Sequence, residues 1–229
     1  MLDFRRTFST ECSFKKALSK RGYSMNLAKL SVSQIEVLKT SGEFETNTYK
    51  FNLDGITYLV DPGFGIGEKV NKDRQVDVII THGHYDHISG LPEIDFDRIY
   101  ISPEDSIALT DPTSNLSVFF TEPFAFEVEW YNIDEYFQTL VVPGHTPGSR
   151  IIIFEGVIFT GDVVFSNSIG RVDLYVDKSE QVQMRKQMTA TIKRLRELFK
   201  TLPQDWFICP GHGEVVTIKR LFEINPFFK

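Results

Sequence analysis

The chain holds five histidines, His82, His84, His87, His145 and His212, and each sits beside a glycine, past the end of an apolar run, or in one loop with others. The loop Thr81-His82-Gly83-His84-Tyr85-Asp86-His87 follows the run at 76–80 (Val-Asp-Val-Ile-Ile). His145 lies in Pro143-Gly144-His145-Thr146-Pro147-Gly148, Asp162 in Thr160-Gly161-Asp162, and His212 in Pro210-Gly211-His212-Gly213. Neutral imidazole and carboxylate suit zinc, iron or manganese. Three imidazoles and an acid within six residues would repel one another when protonated and would bury costly polar groups without an ion. Flanking glycines let the backbone turn sharply enough for side chains from several strand ends to converge. Seven donors (His82, His84, Asp86, His87, His145, Asp162 and His212) exceed the needs of one tetrahedral ion. They suit two ions sharing a carboxylate, with coordination left for water.

A single histidine is more often a satisfied core or surface residue than a ligand, but here that bland reading has to hold five times. Neighbouring candidates are more evenly balanced. Asp61 is either an acceptor for a ligand imidazole or part of an ordinary Asp-Pro-Gly turn. Tyr85 either lines a substrate pocket or packs. Arg171 binds a substrate carboxylate or forms a structural salt bridge. Cys209 reads as a buried strand thiol, and Cys12 is uninformative. The aromatic stretch Phe119, Phe120, Phe124, Phe126, Trp130 and Tyr131 reads mainly as core or edge strand, with part of it free to wall a cleft.

These residues need a scaffold. Residues 32–38 read as a strand, and 48–53 with 56–60 as a hairpin turning at Asp54-Gly55. Further strands are expected at 76–80, 97–101, 137–142 and 206–209, and a second hairpin at 150–154 and 157–160 turns at Glu155-Gly156. Met184, Met188, Ile192, Leu195, Phe199 and Leu202 form one apolar stripe, predicting a helix over 179–202. Asp177 with Glu180 resembles its capping box, and Pro203 ends it. Strands in two batches with helices between them predict a layered α/β domain.

Composition narrows the class. At 229 residues with 41% apolar content, the chain suits one large domain with a real core. Two cysteines make no disulfide framework, and no apolar run approaches the ~20 residues of a membrane span. The net charge of −6 argues against nucleic acid as a partner. Residues 1–30 carry seven basic and two acidic side chains, leaving −11 on the remainder. They lack the apolar stretch of a secretory signal. The expectation is a basic N-terminal extension over 1–30, a catalytic domain over 31–229, and a cytoplasmic location with no membrane partner.

The set His-x-His-x-Asp-His, His, Asp, His resembles the metallo-β-lactamase superfamily. That resemblance implies an αββα four-layer sandwich with metals at the sheet edge. It also implies His82, His84 and His145 as ligands of one metal, Asp86, His87 and His212 as ligands of a second, and Asp162 as the bridge. Lactamases that open β-lactam rings usually lack a bridging aspartate, which disfavours antibiotic hydrolysis. Asp111–Ser117, Pro143–Ser149, Thr160–Phe165, Ile169–Asp173 and Asn225-Pro226-Phe227 are similar to short glyoxalase II-like (hydroxyacylglutathione hydrolase-like) proteins. The likeness runs from about residue 32 onward. It departs at Leu174-Tyr175-Val176-Asp177, where a Gly-Gly-Asp-like turn is usual, and the chain ends soon after His212, which leaves no room for the helical region with which larger glyoxalase II enzymes hold glutathione.

The resemblance therefore implies two divalent ions, zinc foremost with iron or manganese as alternatives. A bridging hydroxide would attack the thioester carbonyl of a small acyl-thiol, with Asp86 and Asp162 as the catalytic carboxylates. Two alternatives share the fold, a mononuclear iron persulfide dioxygenase using His82, His145 and Asp162 and a tRNA-processing type of nuclease that the acidic body disfavours. A non-catalytic metal-binding module is a third.

Overall fold

The computed structural model describes residues 27–41, 44–70, 75–174 and 177–229. Among these residues eleven strands form two sheets. The first runs in the order β1 (Glu36–Lys39), β2 (Asn47–Leu53), β3 (Ile56–Val60), β4 (Val76–Ile79), β5 (Phe96–Ile101), β6 (Tyr131–Asn132). The second contains β7 (Thr139–Val141), β8 (Arg150–Phe154), β9 (Val157–Gly161), β10 (Phe207–Pro210) and β11 (Val216–Thr217), ordered β11-β10-β9-β8-β7. Both expected hairpins form. Asp54 and Gly55 take φ of 50° and 84°, the left-handed pair that a two-residue turn between twisted strands requires.

Among the described residues the helices are α1 (Tyr85–Ile88), α2 (Ser117–Phe120), α3 (Ile133–Tyr136), α4 (Lys178–Thr201) and α5 (Ile218–Ile224). In α4 the apolar stripe is buried as its spacing predicts, and the Asp177 carboxylate accepts hydrogen bonds from the amides of Ser179 (2.7 Å) and Glu180 (3.0 Å).

One reading changes. Residues 32–34 form a 3₁₀ turn, and the strand starts only at Glu36. The Ser31 amide donates to Gln34 Oε1 at 2.9 Å and the Gln34 amide to the Ser31 carbonyl at 2.9 Å, so local side-chain chemistry outcompetes the β-branched run. Just before it, Leu30 is buried between the sheets and its amide donates to the Glu155 carbonyl at 3.0 Å, so the folded body takes in Leu27–Leu30. Residues 1–26, with Cys12, lie outside the described residues.

Three apolar layers separate the elements. Tyr49, Phe51, Val60 and Ile79 meet Ile152, Phe154 and Phe159 between the sheets. Met188, Ile192, Leu195 and Phe199 of α4, with Ile218 and Leu221 of α5, cover the outer face of the second sheet. Ile66, Ile88, Leu91 and Leu109 cover the outer face of the first. The result is an α/β sandwich with helical turns outside both sheets. Among the described residues no helix is long and apolar enough to cross a membrane.

The topology gathers one set of strand ends. Strands β3, β4 and β5 are parallel, so their C-terminal ends share one edge of the first sheet. Strand β9 is parallel to β10, and β7 and β9 both run antiparallel to β8, so β7, β9 and β10 also end together. Leu195 is fully buried where α4 meets the second sheet. Leu195→Ala is expected to lower stability by about 2–5 kcal/mol, measured by urea unfolding of the full chain.

Candidate metal centre

All seven sequence-designated donors meet where those strand ends converge. His82 and His84 follow β4, Asp86 and His87 lie in the single turn of α1, His145 follows β7, Asp162 follows β9 and His212 follows β10. One donor atom each from His82, His84 and His145 lie within 4.8 Å of one another, and so do one each from Asp86, His87 and His212. Asp162 lies between the two groups. Its Oδ2 is 3.6 Å from His145 Nε2 and 3.4 Å from His212 Nε2, and its Oδ1 is 3.4 Å from His87 Nε2.

The donor set fits a cation. His82 Nε2, His87 Nε2 and Asp162 Oδ1 are buried with no hydrogen bond of good geometry among the described residues, an arrangement that costs free energy unless something positive sits between them. Close approach is built into the backbone as well. A Cβ on Gly211 would run into Asp162 Oδ1 and into His87 Cε1, so only glycine lets the β10 loop pass.

The opposite ring nitrogens are held from behind. His145 Nδ1 is 2.9 Å from the Arg171 carbonyl and His212 Nδ1 is 2.9 Å from the Glu45 carbonyl. His82 Nδ1 is 3.1 Å from Thr81 Oγ1 and His87 Nδ1 is 3.0 Å from Asp61 Oδ2. Such partners fix ring orientation and leave Nε2 facing inward. Asp61 is buried and has a φ of 53°, and it accepts from the Thr81 amide (2.8 Å) and hydroxyl (2.7 Å). It therefore braces the histidine loop as an acceptor. Arg171 contributes its carbonyl, while its guanidinium pairs with Asp173 at 2.9 Å. Tyr85 lines a cleft beside Asp86. Cys209 is buried between the sheets, where burial pushes its thiol up and out of reach of ionisation at neutral pH.

Electrostatics divides the histidines. Burial, reinforced by the neighbouring imidazoles, pushes His82 well down and His84 to about 3, so both are neutral. Burial also opposes charge on His87 and His212, but carboxylates outweigh it. Asp86, Asp162 and Asp61 push His87 well up, and hydrogen bonds to Asp162 and Asp86 raise His212 to about 10. Burial likewise opposes ionisation of Asp86 and Asp162, and the His87 and His212 imidazoles overcome it, holding both carboxyls well below the usual range.

Sequence reasoning missed three braces. Asp105 is buried and accepts from the amides of Gly83 (3.0 Å) and Gly148 (2.7 Å) and from Thr146 Oγ1 (2.6 Å), tying the His82–His84 loop to the His145 loop. Asn47 Nδ2 donates to the carbonyls of Pro210 (2.9 Å) and Gly213 (3.0 Å), and Tyr49 Oη donates to Pro210 at 2.6 Å, tying β2 to the His212 loop. Thr46 Oγ1 donates to Asp86 Oδ2 at 3.0 Å. The available signal was positional. Asp105 follows the end of β5 as the donors follow theirs, and Thr46-Asn47-Thr48 is a polar triplet opening an apolar strand.

Comparison with known proteins agrees with this geometry. Residues 41–212 match the profile of the metallo-β-lactamase superfamily. A probable metallo-hydrolase of Streptococcus pyogenes is 30% identical over 206 residues, covering 80% of this chain and 85% of that protein. The hydroxyacylglutathione hydrolase GloC of Haemophilus influenzae is 27% identical over 190 residues, covering 74% of this chain and 85% of that protein. The crystal structure of the BLEG-1 B3 metallo-β-lactamase matches with a TM-score of 0.70 at 26% identity, over 85% of this chain and 99% of that one. With the seven donors gathered where strand ends of both sheets converge, the chain belongs to the metallo-β-lactamase superfamily of metal-dependent hydrolases.

Proposed function

We propose that this protein hydrolyses thioesters of small acyl-thiols, with His82, His84 and His145 holding one divalent ion, Asp86, His87 and His212 a second, and Asp162 shared between them. The observation that carries the reading is the placement of Asp162, one oxygen toward His87 and the other toward His145 and His212, spanning both triads at 3.4–3.6 Å. The nitrogen and oxygen donors suit zinc foremost, with iron or manganese as alternatives. Bound divalent ions supply Lewis acidity and a water whose pKa falls toward roughly 7.

The chain's own groups set the geometry. Carbonyls and hydroxyls behind the imidazoles hold the rings, and Thr46 holds the Asp86 carboxylate. Asp86 and Asp162 are kept ionised, so they serve as acceptors that orient a water proton and not as acids. In the reaction the acyl carbon gains a C–O bond from water and loses its C–S bond. The thiolate leaves with the electron pair, and a conjugate-acid pKa of about 8.5 removes the need for a general acid. A site whose nearest carboxyls are ionised therefore matches a thioester better than a substrate with a poor leaving group. The likeness to a hydroxyacylglutathione hydrolase supports the same choice.

Replacing His84 or Asp162 with Ala is expected to abolish turnover of S-D-lactoylglutathione and to lower bound metal by elemental analysis. Undiminished hydrolysis after metal loss would overturn the mechanism. So would a preparation holding one iron per chain that consumes oxygen with glutathione persulfide, or one that opens β-lactams in preference to thioesters.

Asp105→Asn keeps one acceptor oxygen but turns an NH2 toward one of the two loop amides, leaving donor against donor, and it should weaken metal binding about 10- to 100-fold in competition with a chelating dye.

The pH dependence follows from His212. Its value in the ion-free fold, about 10, lies above the ordinary 6.5. Its contribution to stability without metal is complete below pH 6.5 and disappears as pH rises toward 10. Metal capture needs the neutral ring and strengthens over the same interval. The difference in Tm between metal-loaded and chelated protein should widen from pH 6.5 upward in scanning calorimetry.

A further inference from the structure

Beside the metal centre lies a cleft of about 330 Å³ that none of the seven donors except Asp86 helps to line. Phe44, Phe64, Tyr85 and Phe120 supply most of its wall, and three hydroxyl residues complete it. Phe44 and Phe120 meet edge to face with ring centroids 5.3 Å apart. Phe44, Phe64 and Phe120 are 38%, 53% and 47% exposed, although they converge on one spot from separate loops and from α2. Apolar rings left in water beside a reactive centre are accounted for when a ligand covers them.

A second observation points to the same ligand. Ser89 is 95% buried (5% exposed) on the cleft wall, one turn beyond Asp86, and its Oγ has no hydrogen-bond partner among the described residues. A buried hydroxyl without a partner is costly, and a polar atom at the base of an otherwise apolar group would satisfy it. A dry cavity of about 150 Å³ already admits benzene, so 330 Å³ accommodates an aryl or branched alkyl group with its first polar atom. Among the described residues no ammonium or guanidinium lines the cleft, so none of them offers a cationic partner there to the two carboxylates of glutathione.

We propose, resting on the thioesterase reading above, that this cleft seats the acyl group of the substrate and selects acyl chains with an apolar, preferably aromatic, body. The four rings contact that body and Ser89 Oγ donates to a polar atom near the scissile carbonyl.

The test compares S-phenylacetyl- with S-acetyl-N-acetylcysteamine on the metal-loaded full chain, and adds the S-acetyl ester of benzyl mercaptan. The expected result is a kcat/KM at least about 10-fold higher for phenylacetyl than for acetyl on the same thiol. Phe120→Ala and Phe44→Ala should bring that ratio down toward one, and Ser89→Ala should lower turnover of the phenylacetyl ester. Equal rates for the two acyl groups would overturn the proposal, as would a gain that follows the benzyl thiol and not the acyl group. Should no thioester be hydrolysed, the thioesterase reading falls by itself, and calorimetric binding of phenylacetate against acetate decides the cleft. Phenylacetate bound about 10-fold tighter upholds it, and equal affinities sink it.

Discussion

Buried imidazoles crowded against one another set the terms for the rest of this protein. The His82 ring has the rings of His84, His87 and His145 at centroid distances of 4.8, 4.1 and 4.8 Å. Inside a folded domain such a cluster cannot carry several protons, and uncharged it directs lone pairs at one another. The structure resolves the conflict differently on its two sides. His82 and His84 are kept neutral by burial, whereas His87 and His212 are charge-paired with Asp86 and Asp162. His82 and His84 thus offer lone pairs to a cation, and His87 and His212 offer nitrogens that must first surrender protons.

Everything around the cluster serves to hold it in this unfavourable arrangement. Its donors stand on strand ends, where the direction of the backbone is fixed by ladders on either side. Loops leaving those ends are tied down by acceptors that reach across the sandwich. Asp105 joins two loops separated by more than sixty residues, and Asn47 and Tyr49 carry the first sheet to the His212 loop of the second. Removing any of these leaves buried polar groups unsatisfied in addition to loosening a ligand.

Much of this is legible in the sequence. The turns at Asp54-Gly55 and Glu155-Gly156, the stripe of α4 and its Asp177 cap are local signals, and local chemistry determined them. Donor residues were recognisable because histidine is scarce in the chain and each one sits past an apolar run. What escaped was nonlocal. Asp105, Thr46 and Asn47 look like ordinary surface polar residues until tertiary contacts bury them. Phe44 and Phe64 lie outside the helices and strands, where no periodicity announces which way a ring will face. The 3₁₀ turn at Val32–Gln34 went the other way, a local hydrogen bond prevailing over a β-branched pattern.

The donors come from both sheets, and this has a consequence for how the chain is held shut. His82 and His145 stand 63 residues apart in sequence, and His82 and His212 stand 130 apart. A cation gripped by such distant points closes long loops, the kind of clip whose entropic benefit to a folded chain is greatest in principle. It binds the docked sandwich and has little to grip in an open chain, so it adds to the stability of the fold as its free concentration rises above its dissociation constant. The reactive centre is thereby also a seam, and the occupancy of one is the tightness of the other.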